Sequence, residues 1–155
     1  MTSRRVLLVA NEPVDAAGLE QLPAADVVVV APALNGRLAH WVSDEDRARR
    51  AAHERLAMSL VSLRAAGFDP DGWVGDADPL LAIEDALRVF DADEIVVASD
   101  PEPRHWLARD LLDRARRRFA RPVSHLADGH VTRPTAASVA AGRRVDAAAV
   151  ATSRG

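Results

Sequence analysis

The sequence predicts an α/β protein with a doubly wound, five-stranded parallel sheet and helices on both faces. Two observations lead to this fold class. Short, uninterrupted apolar runs recur along the chain, and such runs are typical of strands that are covered on both faces of a parallel sheet. Segments with helical periodicity alternate with them, as in sheets built with right-handed crossovers. The strands are predicted at residues 6–10, 27–31, 72–74, 95–98 and 122–126.

Four helices are predicted in the intervening segments, at residues 15–22, 43–66, 79–90 and 104–119. The third has the clearest start, because Asp78 occupies the N-cap position and Pro79 the first helical position. The second can be capped by Ser43, and three acidic residues follow at the positive end of the helix dipole. Gly67 is a plausible stop for that helix.

The composition excludes several kinds of chemistry. The chain of 155 residues contains no Cys, which excludes disulfides, zinc–thiolate sites and thiol catalysis. All 20 basic residues are Arg, so neither Schiff-base catalysis nor a P-loop lysine is possible. The formal net charge of −3 argues against a nucleic-acid-binding protein, since such proteins carry a basic excess.

The chain is interpreted as one α/β domain over residues 1–128, followed by a tail over residues 129–155. The tail is rich in Ala and Arg and poor in large apolar residues, so we expect it to be disordered. A docking helix over residues 136–150 is the alternative. No run approaches the ~20 apolar residues of a membrane span. The apolar start is too short for a signal peptide, which leads us to expect a cytoplasmic protein.

Four stretches of the sequence resemble the universal stress protein family. These are residues 6–12, 27–32, 74–79 and 92–99, the last reading Ala-Asp-Glu-Ile-Val-Val-Ala-Ser, and the final predicted strand opens with Pro-Val as in that family. The resemblance covers residues 4–128 and implies the strand order 3-2-1-4-5. It also implies a homodimer through the last strand, from Val123 to Leu126, which would form a sheet edge able to pair with another chain.

One departure from the family concerns its ATP-binding loop. ATP-binding members carry Gly-x2-Gly-x9-Gly-Ser/Thr after the fourth strand, because glycines let backbone N–H groups approach phosphate oxygens. Residues 99–110 contain no glycine here, and two prolines remove two N–H donors. Asp100 and Glu102 add negative charge, and Asn11 replaces the family's aspartate. We therefore expect no ATP binding.

Topology gives the location of a candidate ligand site. In an open α/β sheet, ligands bind beyond the carboxyl ends of the strands, at the point where the strand order reverses. A smaller anion such as AMP could use Arg104 and His105 there, in place of the missing glycines. Ordinary loop and cap residues are the alternative interpretation. The candidate cofactor-binding residues are Asn11, Ala31, Asp76, Ser99, Arg104 and His105.

Two weaker alternatives concern metal ions. Carboxylates at the same strand ends could converge on a divalent cation, although Asp78 is better explained as a helix cap. His125, Asp128 and His130 form a second possible ligand group, which the end of a strand explains more simply. We predict neither a metal site nor a tightly bound cofactor.

Three functions follow from these observations. The first is a non-enzymatic stress-response or regulatory module that acts through dimerisation and an unknown protein partner. The alternative is a sensor of adenosine nucleotides or small anions. The third, an enzyme, is disfavoured because the sequence offers neither a nucleophile with a matched base nor a Gly-x-Ser-x-Gly motif.

Overall fold

The computed structural model describes residues 3–20, 25–34, 42–99 and 106–134. A short 3-10 turn, Ala16–Gly18, follows the first strand. The strands are β1 (Arg4–Ala10), β2 (Ala25–Pro32), β3 (Asp71–Gly75), β4 (Glu94–Ala98), β5 (Val123–Ala127) and β6 (His130–Thr132). The α-helices are α1 (Val42–Ala65), α2 (Pro79–Val89) and α3 (Trp106–Arg118).

The six strands form one sheet in the order β3-β2-β1-β4-β5-β6. All neighbours are parallel except β5 and β6, which are antiparallel. The predicted doubly wound fold is therefore confirmed, with one strand more than expected. The chain leaves β1 toward β2 and β3 and then crosses back to β4, so the topological switch point lies between β1 and β4.

Apolar layers cover both faces of the sheet. On β1, Val6 and Leu8 face α1 and the 3-10 turn, whereas Leu7 and Val9 face α2 and α3. All four side chains are fully buried. Burial on both faces explains why this strand is continuously apolar rather than alternating. Helices on opposite faces are the arrangement that right-handed crossovers give on each side of the switch point.

The predicted start of α2 and the predicted end of α1 are confirmed, whereas Ser43, the predicted cap of α1, lies inside that helix, which begins at Val42. At the start of α2, the side chain of Asp78 accepts a hydrogen bond from the backbone N–H of Leu80 at 2.9 Å, and Pro79 occupies the first turn. The longest helix, α1, ends at Ala65, and Gly67 follows with a φ of 91°, as expected for its stop. No helix in the described segments combines the length and apolar character needed to cross a membrane.

The connection after β1 differs from the prediction. Instead of a helix over residues 15–22, the described part contains only the 3-10 turn. The Asp15 carboxylate accepts a hydrogen bond from the Ala17 N–H at 3.1 Å, a local bond that competes with helix formation. Gly18 lies so close to the sheet that an added Cβ would clash with a methyl carbon of Leu126.

The hairpin between β5 and β6 corrects a second prediction. Its two-residue turn consists of Asp128 and Gly129, both with positive φ, and Ala127 lies opposite His130. The start of the expected tail thus contributes a strand. The expectation that Val123 to Leu126 form a free edge is wrong for His125 and Leu126, because both pair with β6. Residues 135–155, including the alternative docking helix, lie outside the described residues.

Candidate functional site

The structure brings two of the six candidate residues together at the switch point. Asn11 follows β1 and Ser99 follows β4, and the two strands are neighbours. The backbone N–H of Asn11 donates a hydrogen bond to the carbonyl oxygen of Ala98 at 3.2 Å. The side-chain oxygen of Asn11 is buried and has no hydrogen-bond partner among the described residues. Such an unpaired acceptor is uncommon in folded proteins.

The other candidates are dispersed. Ala31 is fully buried in the layer beneath α1, so its side chain does not reach a ligand at the edge of the sheet. Asp76 follows β3, the outer strand, and its carboxylate accepts a hydrogen bond from the N–H of Asp78 at 2.8 Å. Asp76 therefore organises a local turn. Arg104 and His105 lie outside the described residues.

A cavity of about 360 Å³ opens beside the switch point. One wall is the segment between β1 and the 3-10 turn, the second is the end of β4, and the third is the β5–β6 hairpin. We call this space the switch-point cavity. Its lining residues are Glu12, Pro13, Val14, Asp15, Ala98, Ser99, Leu126, Ala127, Asp128 and Gly129.

The charge of the switch-point cavity is negative. Three of its lining residues, Glu12, Asp15 and Asp128, are exposed carboxylates, and none of the described residues that line it is basic. Carboxylates repel phosphate groups, so this surface is a poor match for a nucleotide triphosphate. Within the described residues, no three His, Cys, Asp or Glu side chains are placed to hold a metal ion together.

The sequence analysis missed Arg55, which lies on α1 above the carboxyl ends of β1 and β2. Its guanidinium donates hydrogen bonds to the carbonyl oxygens of Ala10 at 3.3 Å and Pro32 at 2.5 Å. Burial lowers the pKa of Arg55, and the charge of Glu12 acts in the opposite direction. Its position one turn from Ala52 and Ser59, on the inward side of α1, is the sequence signal that could have identified it.

Ser59, one turn after Arg55, anchors the wall of the cavity. Its hydroxyl accepts a hydrogen bond from the backbone N–H of Val14 at 3.1 Å and donates one to the carbonyl oxygen of Arg55 at 2.7 Å. The Ser59 side chain is fully buried. A buried hydroxyl with both partners holds the segment after β1 against α1, which fixes the position of Glu12 and Asp15.

The second missed feature is a pair formed by Ser99 and His125. Ser99 Oγ lies 2.7 Å from His125 Nε2, and the Ser99 N–H donates a hydrogen bond to the carbonyl oxygen of Leu126 at 3.2 Å. Burial lowers the pKa of His125; a hydrogen bond with the Ser99 backbone raises it, and the charge of Arg116 lowers it further. The sequence analysis did not predict this contact between a hydroxyl and an imidazole.

Comparison of the chain with models of known protein families found no match, and comparison with curated proteins found none. The resemblance to universal stress proteins stays a prediction from the sequence.

Proposed function

We propose that this chain is a cytoplasmic, non-enzymatic stress-response or regulatory module that resembles universal stress proteins and does not bind ATP. The charge of the switch-point cavity carries the proposal. Its carboxylates, Glu12, Asp15 and Asp128, occupy the place where doubly wound proteins hold their ligands. The confirmed strand order supports the resemblance at the level of the fold alone.

The expected repulsion is large enough to matter. One phosphate charge at about 6 Å from one carboxylate costs roughly 1 to 3 kcal/mol, depending on the effective dielectric constant. Because these carboxylates are exposed, salt screens the repulsion and the lower value applies to each pair. Several phosphate charges against three carboxylates still amount to a few kcal/mol. The sequence also lacks the glycines whose backbone N–H groups would offset that cost.

Titration calorimetry with ATP, with and without Mg²⁺, tests the proposal. We expect no binding by the wild type. A triple variant, Glu12→Gln, Asp15→Asn and Asp128→Asn, removes the repulsion and should bind ATP more tightly than the wild type. A control, Glu54→Gln, Asp26→Asn and Asp69→Asn, makes the same charge change at exposed positions that do not line this cavity. Micromolar binding of ATP by the wild type would overturn the proposal.

The alternative is a sensor of AMP or another adenosine nucleotide. The side-chain oxygen of Asn11, which no described residue pairs, favours it, because an amino group of a nucleobase is a suitable donor for that acceptor. AMP also carries less phosphate charge than ATP. Calorimetry with AMP tests this alternative directly. Binding that is unchanged by Asn11→Ala and Ser99→Ala would move the ligand away from the switch point.

We also propose a homodimer, but one that pairs through β6 rather than through β5. Because β6 pairs with β5, the outermost described strand on this side of the sheet is His130–Thr132. An exposed edge strand offers unpaired backbone groups to a second copy or to another protein. Light scattering at micromolar concentration should give the mass of a dimer. A monomer under these conditions would contradict the homodimer.

A further inference from the structure

We propose that Ser99 is an acyl-acceptor nucleophile, activated by His125, that takes an acyl group from a small, uncharged activated ester or thioester. This modification site goes beyond the proposed function and does not depend on whether the switch-point cavity binds a nucleotide. The observation that carries it is the contact between Ser99 Oγ and His125 Nε2 at 2.7 Å. A hydroxyl within hydrogen-bond reach of an imidazole is the geometry of an activated nucleophile.

The backbone holds the two side chains in this arrangement. Ser99 follows β4 and His125 lies within β5, and Val97 is the register partner of His125. The bond from the Ser99 N–H to the Leu126 carbonyl extends this ladder by one step. Because both residues belong to paired strands or their immediate continuation, little conformational freedom is lost when the pair acts on a substrate.

The imidazole is available as a base at neutral pH. Burial lowers the pKa of His125 below its ordinary value of 6.5, and the nearby cation of Arg116 lowers it as well. These effects outweigh a hydrogen bond between the ring and the Ser99 backbone, which raises the pKa. In the tautomer with its proton on Nδ1, the neutral ring accepts the hydrogen bond from the Ser99 hydroxyl at Nε2.

The surroundings select the acyl donor. Ser99 lines the switch-point cavity, whose volume of about 360 Å³ suits a small molecule. Glu12, Asp15 and Asp128 line the same space and repel anionic donors such as acyl phosphates. An uncharged ester or thioester meets no such repulsion.

The step balances without any further reactant. Ser99 Oγ attacks the carbonyl carbon of the donor and forms a new C–O bond, while its proton moves to His125 Nε2. The bond between the carbonyl carbon and the leaving alcohol or thiol then breaks, and the leaving group departs with the electron pair. The imidazolium returns the proton to that group. The product is an ester on Ser99, which can no longer donate a hydrogen bond to His125.

The test is acetylation of the full chain by p-nitrophenyl acetate at neutral pH, followed by intact-mass measurement and tryptic mapping. The background is low because the chain contains no Lys, Cys or Tyr. Cleavage after Arg88 and Arg104 releases a peptide, residues 89–104, in which Ser99 is the single hydroxyl-bearing side chain. We expect one acetyl group per chain, located in this peptide.

Variants separate activation by His125 from the intrinsic reactivity of the Ser99 hydroxyl. Ser99→Ala should abolish labelling of the 89–104 peptide, and His125→Gln should slow it by about 100-fold, the scale of general-base assistance. Ser3→Ala and His53→Gln change exposed residues and should label like the wild type. Circular dichroism verifies that His125→Gln is folded. The proposal would be overturned if the wild type were labelled elsewhere than at Ser99. It would also be overturned if folded His125→Gln were labelled at Ser99 as fast as the wild type. Neither measurement depends on ATP binding.

Discussion

The guanidinium of Arg55, on α1, donates a hydrogen bond to the carbonyl oxygen of Pro32 at the end of β2. A second bond from the same side chain goes to the carbonyl oxygen of Ala10 at the end of β1. One residue therefore ties the longest helix to two neighbouring strands, and it does so beside the switch point. This cation is committed to backbone carbonyls, and the charged residues among the described lining of the cavity are all carboxylates.

Replacing Arg55 with Met should destabilise the protein by about 2–3 kcal/mol, because two bonds from a charged donor are lost. Urea denaturation monitored by circular dichroism measures the change. Arg64→Met is the matched control, since Arg64 is exposed on the same helix, and it should stay within about 0.5 kcal/mol of the wild type. Equal stabilities for the two variants would show that the bonds of Arg55 contribute nothing.

A buried carboxylate organises the opposite end of the sheet. Glu94 is fully buried, and its Oε1 accepts a hydrogen bond from Ser124 Oγ at 2.6 Å. Arg4 forms an ion pair with Oε2 at 2.7 Å, although the angle is not that of a hydrogen bond, and Arg133 lies 3.6 Å from Oε1. Glu94 thus joins β1, β4, β5 and the residue that follows β6.

Glu94→Ala should cost about 3 kcal/mol, because it leaves the buried Ser124 hydroxyl without a partner and removes the counter-charge of two arginines. Glu94→Gln should cost less, since the amide oxygen can still accept the bond from Ser124. Thermal and urea unfolding of both variants test this order. Glu54→Ala, at an exposed position on α1, is the control. If Glu94→Gln destabilised the protein as much as Glu94→Ala, the ion pairs of Glu94 would contribute more to stability than its hydrogen bond with Ser124.

The sequence pattern predicted the five parallel strands and α2 well, because both depend on local signals. The apolar runs of β1, β2 and β4 are long enough to identify, and Asp78 with Pro79 marks the start of α2 within a residue. The connection after β1 was predicted less well. Its form depends on the close packing of Gly18 against Leu126, a contact between residues that are distant in the sequence.

The β5–β6 hairpin was missed although a local signal was present. Asp-Gly is a preferred pair for a two-residue hairpin turn, since both central residues need positive φ. The composition of the following tail favoured disorder instead. Asp128 and Gly129 have φ values of 49° and 70°, in agreement with that turn chemistry.

Gly129→Ala tests the hairpin. An added Cβ would make only an ordinary contact, 3.8 Å from the Cβ of Ala17, so strain at positive φ is the main cost. We expect a loss of about 1 kcal/mol, the scale of a left-handed conformation for a residue with a side chain. Asp128→Gly, which relieves such strain, is the paired variant and should not destabilise. A stabilising Gly129→Ala would contradict the turn.

The stability of the protein should depend on the protonation of His125. Its pKa is lowered in the folded state, chiefly by burial, so the unfolded chain binds more protons at mildly acidic pH. The free energy of unfolding should therefore have its full value above the ordinary pKa of 6.5 and decrease as the pH falls below it. Urea unfolding at about pH 7.5 and about pH 5.5 measures this loss.

His125→Gln should show a smaller loss of stability between these two pH values, because glutamine does not titrate. His53→Gln, on the exposed side of α1, should keep the wild-type dependence. Since Asp and Glu side chains ordinarily titrate near pH 4, this window separates the histidine from the acidic groups. If the wild type and His125→Gln lost the same stability between these pH values, His125 would not be the cause of the loss.

The location of the candidate site was predictable from the sequence, but most of the residues that form it were not. The rule of the switch point located Asn11 and Ser99 correctly, because it depends on strand order alone. The pairing of Ser99 with His125 depends on the register of β4 against β5, which no local pattern reports. Arg55 was missed because a polar residue beside the apolar stripe of a helix can be exposed, ion-paired or buried, and the sequence pattern does not distinguish these cases. Ala31 was included by position along β2, although its side chain points into the core.

The most direct test of the central claim is mass spectrometry of the small molecules released when freshly purified protein is denatured. The cavity carboxylates and the absence of glycines between residues 76 and 128 predict that no ATP is released. ATP at one equivalent per chain would contradict the account, since it would mean that this fold binds a triphosphate despite the charge at its switch point.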